Sequence, residues 1–488
     1  MKKLLSILAI MLMISLTVSS MVFSVSAEGA WDGVTAATEF AGGTGTAEDP
    51  YLIATPEQFK YLANLINGNE TNAAYNASCY KLTADIDLGG KIWYRIGENA
   101  FPFSGTFDGD GHTISNFIIC EHPAALFGNS TGATFKNIKV DYADILGVGS
   151  CAAGLVANAA GDVPTTIENC EIGARVKVTG SGSGSVRIGG ILGSVGSGCV
   201  VNVSNCINRA RIVLDSTSKA DSCAAGICGS IRNGSIRNCV NLGSVYINYV
   251  GSKTSYAGGI VGNLIASGEC TIENVINCAN VSGYTAGGGI IGFVHTGTAG
   301  LTVTNAFSIS NNIVGFTGFG TLIGSINDGA TCAISNATAT AIQGVELVGG
   351  FNPAVTDNVT GVESIDALAM NIEYNSILTM LGLDLLTMPV LPPEETEPDI
   401  PVLETTTPED TGDEPVDTPA DTGSKPVDTP ADTGDKTEPT TPVTDPSTPG
   451  TDPETEKPAE GGCGSVVAGG IAILAVVTLA GVALKKKD

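Results

Sequence analysis

The chain has 488 residues, of which 63 are Gly, 15% are charged and 6% are aromatic, and its formal net charge is −27. Fourteen of the 22 Pro lie between residues 393 and 460, so length alone misleads as a domain count, and the composition describes one Gly-rich body followed by a tail. The acidity argues against a nucleic-acid partner, because phosphate binding needs a basic surface.

At the start, Lys2 and Lys3 precede an apolar stretch from Leu4 to about Val25, which ends in the small-residue site Val25-Ser26-Ala27 before Glu28. Residues 1–27 therefore read as a secretory signal peptide that is removed on export. The body, 28–392, opens with a helix signal: Thr55 as N-cap, Pro56 at the first helical position and Gln58 three residues after the cap. Phe59, Leu62, Ala63 and Ile66 fall on one face of that helix. Such a helix would cover one end of a β-stack, where unpaired strand edges invite aggregation.

The rest of the body repeats. A short apolar run bracketed by small residues recurs as ALFG (125–128), GLVA (154–157), GILG (190–193), GICG (226–229), GIVG (259–262), GIIG (289–292) and TLIG (321–324). Its last positions are 29, 36, 36, 33, 30 and 32 residues apart. Between these runs falls an apolar-x-Asn unit, with Asn116, Asn137, Asn169, Asn205, Asn238, Asn274, Asn305 and Asn336. Short Ile- and Val-rich runs between Gly, Ser, Asn and Asp are strand and turn language. No single repeat could bury a core, but coils stacked about 4.8 Å apart would align equivalent positions into one apolar column. Stacking also suits Asn, whose carboxamide both donates and accepts and so can bond from coil to coil. The pattern leaves open whether each Asn sits in a strand or at a bend, and whether Gly supplies positive φ or close backbone approach.

These repeats, with the leading segment GTGTAEDPYLI (43–53), YKLTADIDL (80–88), IWYRIG (92–97) and FSGTFDGDGHTISNF (103–117), resemble GLUG-motif surface proteins of bacteria. That family is similar in turn to the repeat regions of immunoglobulin A peptidases. The resemblance covers roughly residues 40–392 and implies an all-β fold, a right-handed parallel β-helix on the cell surface, with no defined ligand for most members. The metallopeptidase activity of the peptidase relatives is not carried over, because no HExxH occurs and the only histidines are His112, His122 and His295.

No catalytic, cofactor-binding or metal-ligating residue is assigned. A glycosidase needs two carboxylates about 5–10 Å apart, and Asp85, Asp87, Asp108 and Asp110 are the acids to weigh; turn structure is the simpler reading, since Asp-Gly pairs are common in hairpins. Arg187, Arg209, Arg211, Arg232 and Arg237 recur in the middle coils and could form a basic patch or simply solvated strand faces. Cys170, Cys206 and Cys239 each follow the repeat Asn and should stack as thiols, because stacked parallel strands suit disulfide geometry poorly. Cys223 and Cys228 are too openly spaced for zinc. Tyr246, Tyr249, Tyr256 and Tyr284 could make a sugar-stacking platform or be core.

A second amphipathic segment, 365–383, could close the far end of the stack. Residues 393–460 hold 20 acids against three Lys and an eleven-residue repeat, PVDTPADTGSK (415–425) then PVDTPADTGDK (426–436). Such a segment buries too little to offset ordering entropy and is expected to act as a disordered stalk reaching up to about 200 Å. Residues 461–488 carry the uncharged run Val466 to Leu484 before Lys485, Lys486 and Lys487. At 1.5 Å per residue that run spans about 28 Å, enough for one transmembrane helix with the lysines cytoplasmic. No LPXTG pentapeptide precedes it, so sortase attachment is not expected, and Cys463 is either a lipidation or processing site or a plain juxtamembrane thiol. The resulting expectation is a non-enzymatic surface protein of a Gram-positive-type bacterium, with membrane contact through the C-terminal helix and a host or glycan ligand. The alternatives are a β-helix polysaccharide lyase or hydrolase, and an architectural envelope protein.

Overall fold

Ile- and Val-rich runs, interrupted by Gly, Ser or Asn, give strands of 2 to 10 residues, and each pairs with its equivalent one repeat away. In the computed structural model every pairing between described strands is parallel, and the strands assemble into one sheet of 21 strands and another of 13. The described residues are 30–349, apart from short internal segments, together with the strand Val362–Ile365. The chain divides into two units, Met1–Met388 and Pro389–Asp488, and all described residues belong to the first. Among them the fold is an all-β parallel solenoid with few helices.

The register confirms the repeat residue by residue. One core column runs Tyr51, Tyr80, Phe107, Phe135, Ile167, Val203, Ile236, Ile272, Val303 and Ile334, each opposite the next. Nine of these ten are buried, and Tyr51 packs half-buried against them. The column is aromatic at its N-terminal end and aliphatic beyond. The Gly-bracketed runs align equally well, through Phe127, Val156, Leu192, Cys228, Val261, Ile291 and Ile323.

All eight repeat asparagines have positive φ, between +49° and +61°. They are corners, which answers the question the sequence left open, and Asn tolerates this left-handed region better than other residues with a Cβ. Seven lie at one corner, where Nδ2 of Asn169 donates to Oδ1 of Asn137 at 3.2 Å, and Asn238, Asn274, Asn305 and Asn336 each donate to the preceding Asn at 2.6–3.0 Å. Asn137 begins the ladder on Asp108 Oδ1 at 2.9 Å. Asn116 departs from the expected single phase. It lies opposite Tyr142, itself at φ +50°, and donates to Asp87 Oδ1 at 2.8 Å. Early coils therefore have a second left-handed corner.

The helix expected near residue 56 spans Pro56–Asn67, with Gln58 N donating to Thr55 Oγ1 at 3.3 Å and Ala54 N to Gln58 Oε1 at 2.8 Å. Phe59, Leu62, Ala63 and Ile66 are buried, and Phe59 stacks on Trp93 with centroids 4.7 Å apart. The expected signal peptide (1–27), the expected amphipathic segment 365–383 beyond Ile365, the expected stalk (393–460) and the expected anchor (461–488) lie outside the described residues. Among the described residues no helix is long and apolar enough to cross a membrane.

Candidate functional groove

Each middle coil passes through the 13-stranded sheet twice, as in Arg187–Gly189 and then Leu192–Val195, with the Gly-apolar-apolar-Gly run forming the bend between the two arms. The apolar pair Ile191 and Leu192 points into the core. The first Gly of the run is required by close approach: a Cβ on Gly226 or Gly259 would come within 3.0 Å of the Asn241 or Asn277 carboxamide. Those asparagines form a second ladder that is fully buried. Asn208 Nδ2 donates to Asn241 Oδ1 and Asn241 Nδ2 to Asn277 Oδ1, both at 2.8 Å. Each Oδ1 also accepts the backbone N–H two residues on, at 3.1–3.3 Å, so the ladder satisfies a buried bend. Sequence reasoning missed it, although an Asn three residues after the corner Asn recurs in NCIN, NCVN and NVIN.

Because the chain folds back at this bend, the outward side chains of the two arms face one another across a groove along the axis. Tyr256 on a first arm stacks on Phe293 of a second arm with centroids 4.1 Å apart and a 9° interplanar angle. Toward the N-terminal end the groove opens into a cavity of about 590 Å³. One wall carries Asn129, Asn158 and Ser194, successive in register, and the other carries Arg187 between Cys151 and Cys223. Arg95, His122 and Arg232 flank it.

The cavity is rich in donors and poor in acids. Glu98 is its only lining carboxylate among the described residues. Arg95 is neutralised: its guanidinium pairs with Glu121 and lies 4.0 Å from Glu98. Burial pushes the Glu121 carboxyl above its ordinary value despite the Arg95 bonds that favour its charge. Arg187 and Arg232 form no ion pair among the described residues. Asn158 Nδ2 donates to Asn129 Oδ1 at 3.2 Å, whereas Asn129 Nδ2 is buried with no partner among the described residues. His122 Nδ1 lies 3.2 Å from Ser150 Oγ.

The acids singled out from the sequence are elsewhere and occupied. Asp85 Oδ1 accepts from Thr113 N at 2.9 Å and meets His112 Nδ1 at 3.2 Å. Asp87 accepts from Gly89 N and Asn116 Nδ2, both at 2.8 Å. Asp108 accepts from Asp110 N and Asn137 Nδ2 and sits 3.4 Å from Lys136, and Asp110 pairs with Lys81 at 3.1 Å. These contacts are turns and ladder ends. Of the five arginines, Arg209 pairs with Glu171 and Arg237 with Glu273, at 2.7 and 3.0 Å, and Arg211 lies over the Tyr246 ring at 5.6 Å; only Arg187 and Arg232 reach the groove.

Of the tyrosines, Tyr256 is buried against Phe293 and Tyr284 is exposed, while the Tyr249 side chain lies outside the described residues. Apart from Cys120, the described cysteines form no disulfide among the described residues. Cys170, Cys206 and Cys239 stack as expected, each Sγ donating to the carbonyl two residues before it at 3.2 Å. Burial raises the Cys170 and Cys239 thiols well above their ordinary value. Among the described residues no group of three or more His, Cys, Asp or Glu could hold a metal ion.

No family model matches the chain. It is 34% identical over 187 residues to halomucin of Haloquadratum walsbyi, covering 35% of this chain and 2% of that protein. It is 33% identical over 125 residues to a provisionally named Gly-rich membrane protein of Evansella cellulosilytica, covering 24% of this chain and 14% of that one. The chain thus spans a small fraction of the relatives it matches. Among solved structures, a chain from Bacteroides ovatus provisionally named an immunoglobulin A1 protease is similar at 22% identity and a TM-score of 0.43, over 70% of this chain and 90% of that one.

Proposed function

We propose that the protein is exported and anchored in the cell membrane, and that its solenoid acts as an adhesin for host or glycan ligands. The observation that carries the reading is the axial groove, a cavity that among the described residues has two arginines without an ion pair, stacked amide and hydroxyl groups and one carboxylate. Such a surface suits recognition of a polar, extended ligand, and a two-acid hydrolase would need a second carboxylate facing Glu98. The names of the relatives, a mucin-like one and a membrane-protein one, support a surface location. The apolar stretches at 4–25 and 466–484 support export and a single-pass anchor, with the acidic Pro-rich stretch as spacer and the helix at Pro56–Asn67 as an end cap.

The test is to reconstitute the full chain in nanodiscs and apply it to a glycan array and to immobilised host matrix proteins, beside assays for reducing ends and unsaturated products. Saturable binding to a restricted ligand set without turnover is expected. Turnover of any polysaccharide, or no binding at all, would overturn the reading.

A further inference from the structure

We infer that the groove binds the carboxylate of an acidic sugar, with Arg187 and Arg232 as the charge partners and Asn129 as a neutral donor to the same extended ligand further along the cavity; this rests on the glycan-binding reading above. The residues of the cavity select for an anion. Arg95 is neutralised by Glu121 and Glu98, but among the described residues Arg187 and Arg232 are cations without a partner carboxylate, in a chain of net charge −27. A guanidinium is the side chain best shaped for bidentate pairing with a carboxylate. Arg187 is half-buried between two apolar thiols in register, Cys151 and Cys223, which lowers the dielectric around it and strengthens any pairing it makes.

Asn129 supplies the independent observation. The residue is 5% exposed and lines the cavity, its Oδ1 is used by Asn158, and its Nδ2 has no acceptor among the described residues. A buried donor left unpaired costs about 1–3 kcal/mol, and an oxygen of a bound ligand would recover it. An extended saccharide fits better than a lone ion because the wall is periodic. Asn129, Asn158, Ser194, Ser230 and Asn263 follow one another in register, one per coil of about 4.8 Å, until Phe293 ends the polar row. That spacing is comparable to successive residues of an extended glycan, and 590 Å³ falls within the range of small-molecule sites.

The test is calorimetric titration of the full chain with trigalacturonate, sialyllactose and maltotriose at low and high salt. At least one acidic sugar should bind, with affinity falling as salt rises, and maltotriose should not compete; which acidic sugar binds tells a uronate source from a sialic acid source. Asn129→Asp keeps the acceptor for Asn158 but presents an oxygen where the free donor stood, and it should weaken binding about tenfold or more. Arg187→Gln should do the same, with Arg232→Gln at the rim as the variant least able to disturb packing. Acidic sugars binding no better than maltotriose, or unchanged affinity in folded Asn129→Asp and Arg232→Gln proteins, would overturn the inference. Neutral glycans binding while acidic ones do not would sink this inference and leave the adhesin reading standing, whereas failure of every ligand on the array would sink both.

Discussion

Replacing Asn241 by Ala tests the buried ladder where it carries most. Asn241 Oδ1 accepts from Asn208 Nδ2 at 2.8 Å and from Gly243 N at 3.2 Å, and its Nδ2 donates to Asn277 Oδ1 at 2.8 Å. The residue is fully buried. Three hydrogen bonds at a net of about 1 kcal/mol each, with the Gly243 N–H left unpaired, give an expected loss of about 3–5 kcal/mol. Because each coil contacts only its neighbours, the damage should be local and should weaken both flanking interfaces. Urea unfolding gives the total, and hydrogen exchange locates it in the coils holding Asn208, Asn241 and Asn277. Asn241→Ser should cost less, since Ser308 occupies the position next in register after Asn277. A loss below about 1 kcal/mol for Asn241→Ala, or protection lost evenly along the solenoid, would refute the ladder as a structural element.

Gly226→Ala drives a Cβ into the Asn241 carboxamide and the Gly259 carbonyl, so it should cost about 2–3 kcal/mol or more in thermal unfolding, against about 1–2 kcal/mol for Gly111→Ala, which meets only backbone strain at φ +83°. In timed alkylation followed by mass spectrometry, the half-buried Cys79 should label before the buried cysteines. Cys223, Cys270, Cys278 and Cys332, pushed up to about 12 by burial, should label only on unfolding. Asp108 is held below its ordinary value: burial would raise it, but bonds from Asn137 and Asp110 N and the charge of Lys136 outweigh that. A depressed folded pKa contributes stability above the unfolded value of about 3.8 and loses it as pH falls through the folded one, so Asp108→Asn should flatten the drop in melting temperature below pH 4.

The periodic features were legible because they recur. Both the Gly-bracketed runs and seven of the eight corner asparagines fell into register, and only Asn116 belonged to another corner, since one coil length can hold two bends of the same chemistry. The thiol stack was readable from the fixed place of Cys after Asn. The groove was not legible, because it depends on the chain doubling back at the Gly-apolar-apolar-Gly bend, and no local pattern announces which outward side chains then face each other. Arg187 and Arg232 stood out only as members of a basic set whose other members proved to be paired or packed on Tyr246. Asn129 and Asn158, like Ser194, Ser230 and Asn263, each directly follow the last residue of the Gly-bracketed run, a recurring polar position that says nothing of what it faces.

The stacking of equivalent positions is tested most directly by a distance. Glu168, Ser204, Arg237, Glu273, Thr304 and Ser335 are successive partners in register. Genetically encoded spin labels at positions 168 and 335 should therefore give a narrow pulsed-EPR distribution near 24 Å, five steps of about 4.8 Å. A broad distribution, or a separation beyond about 40 Å, would contradict a continuous parallel solenoid.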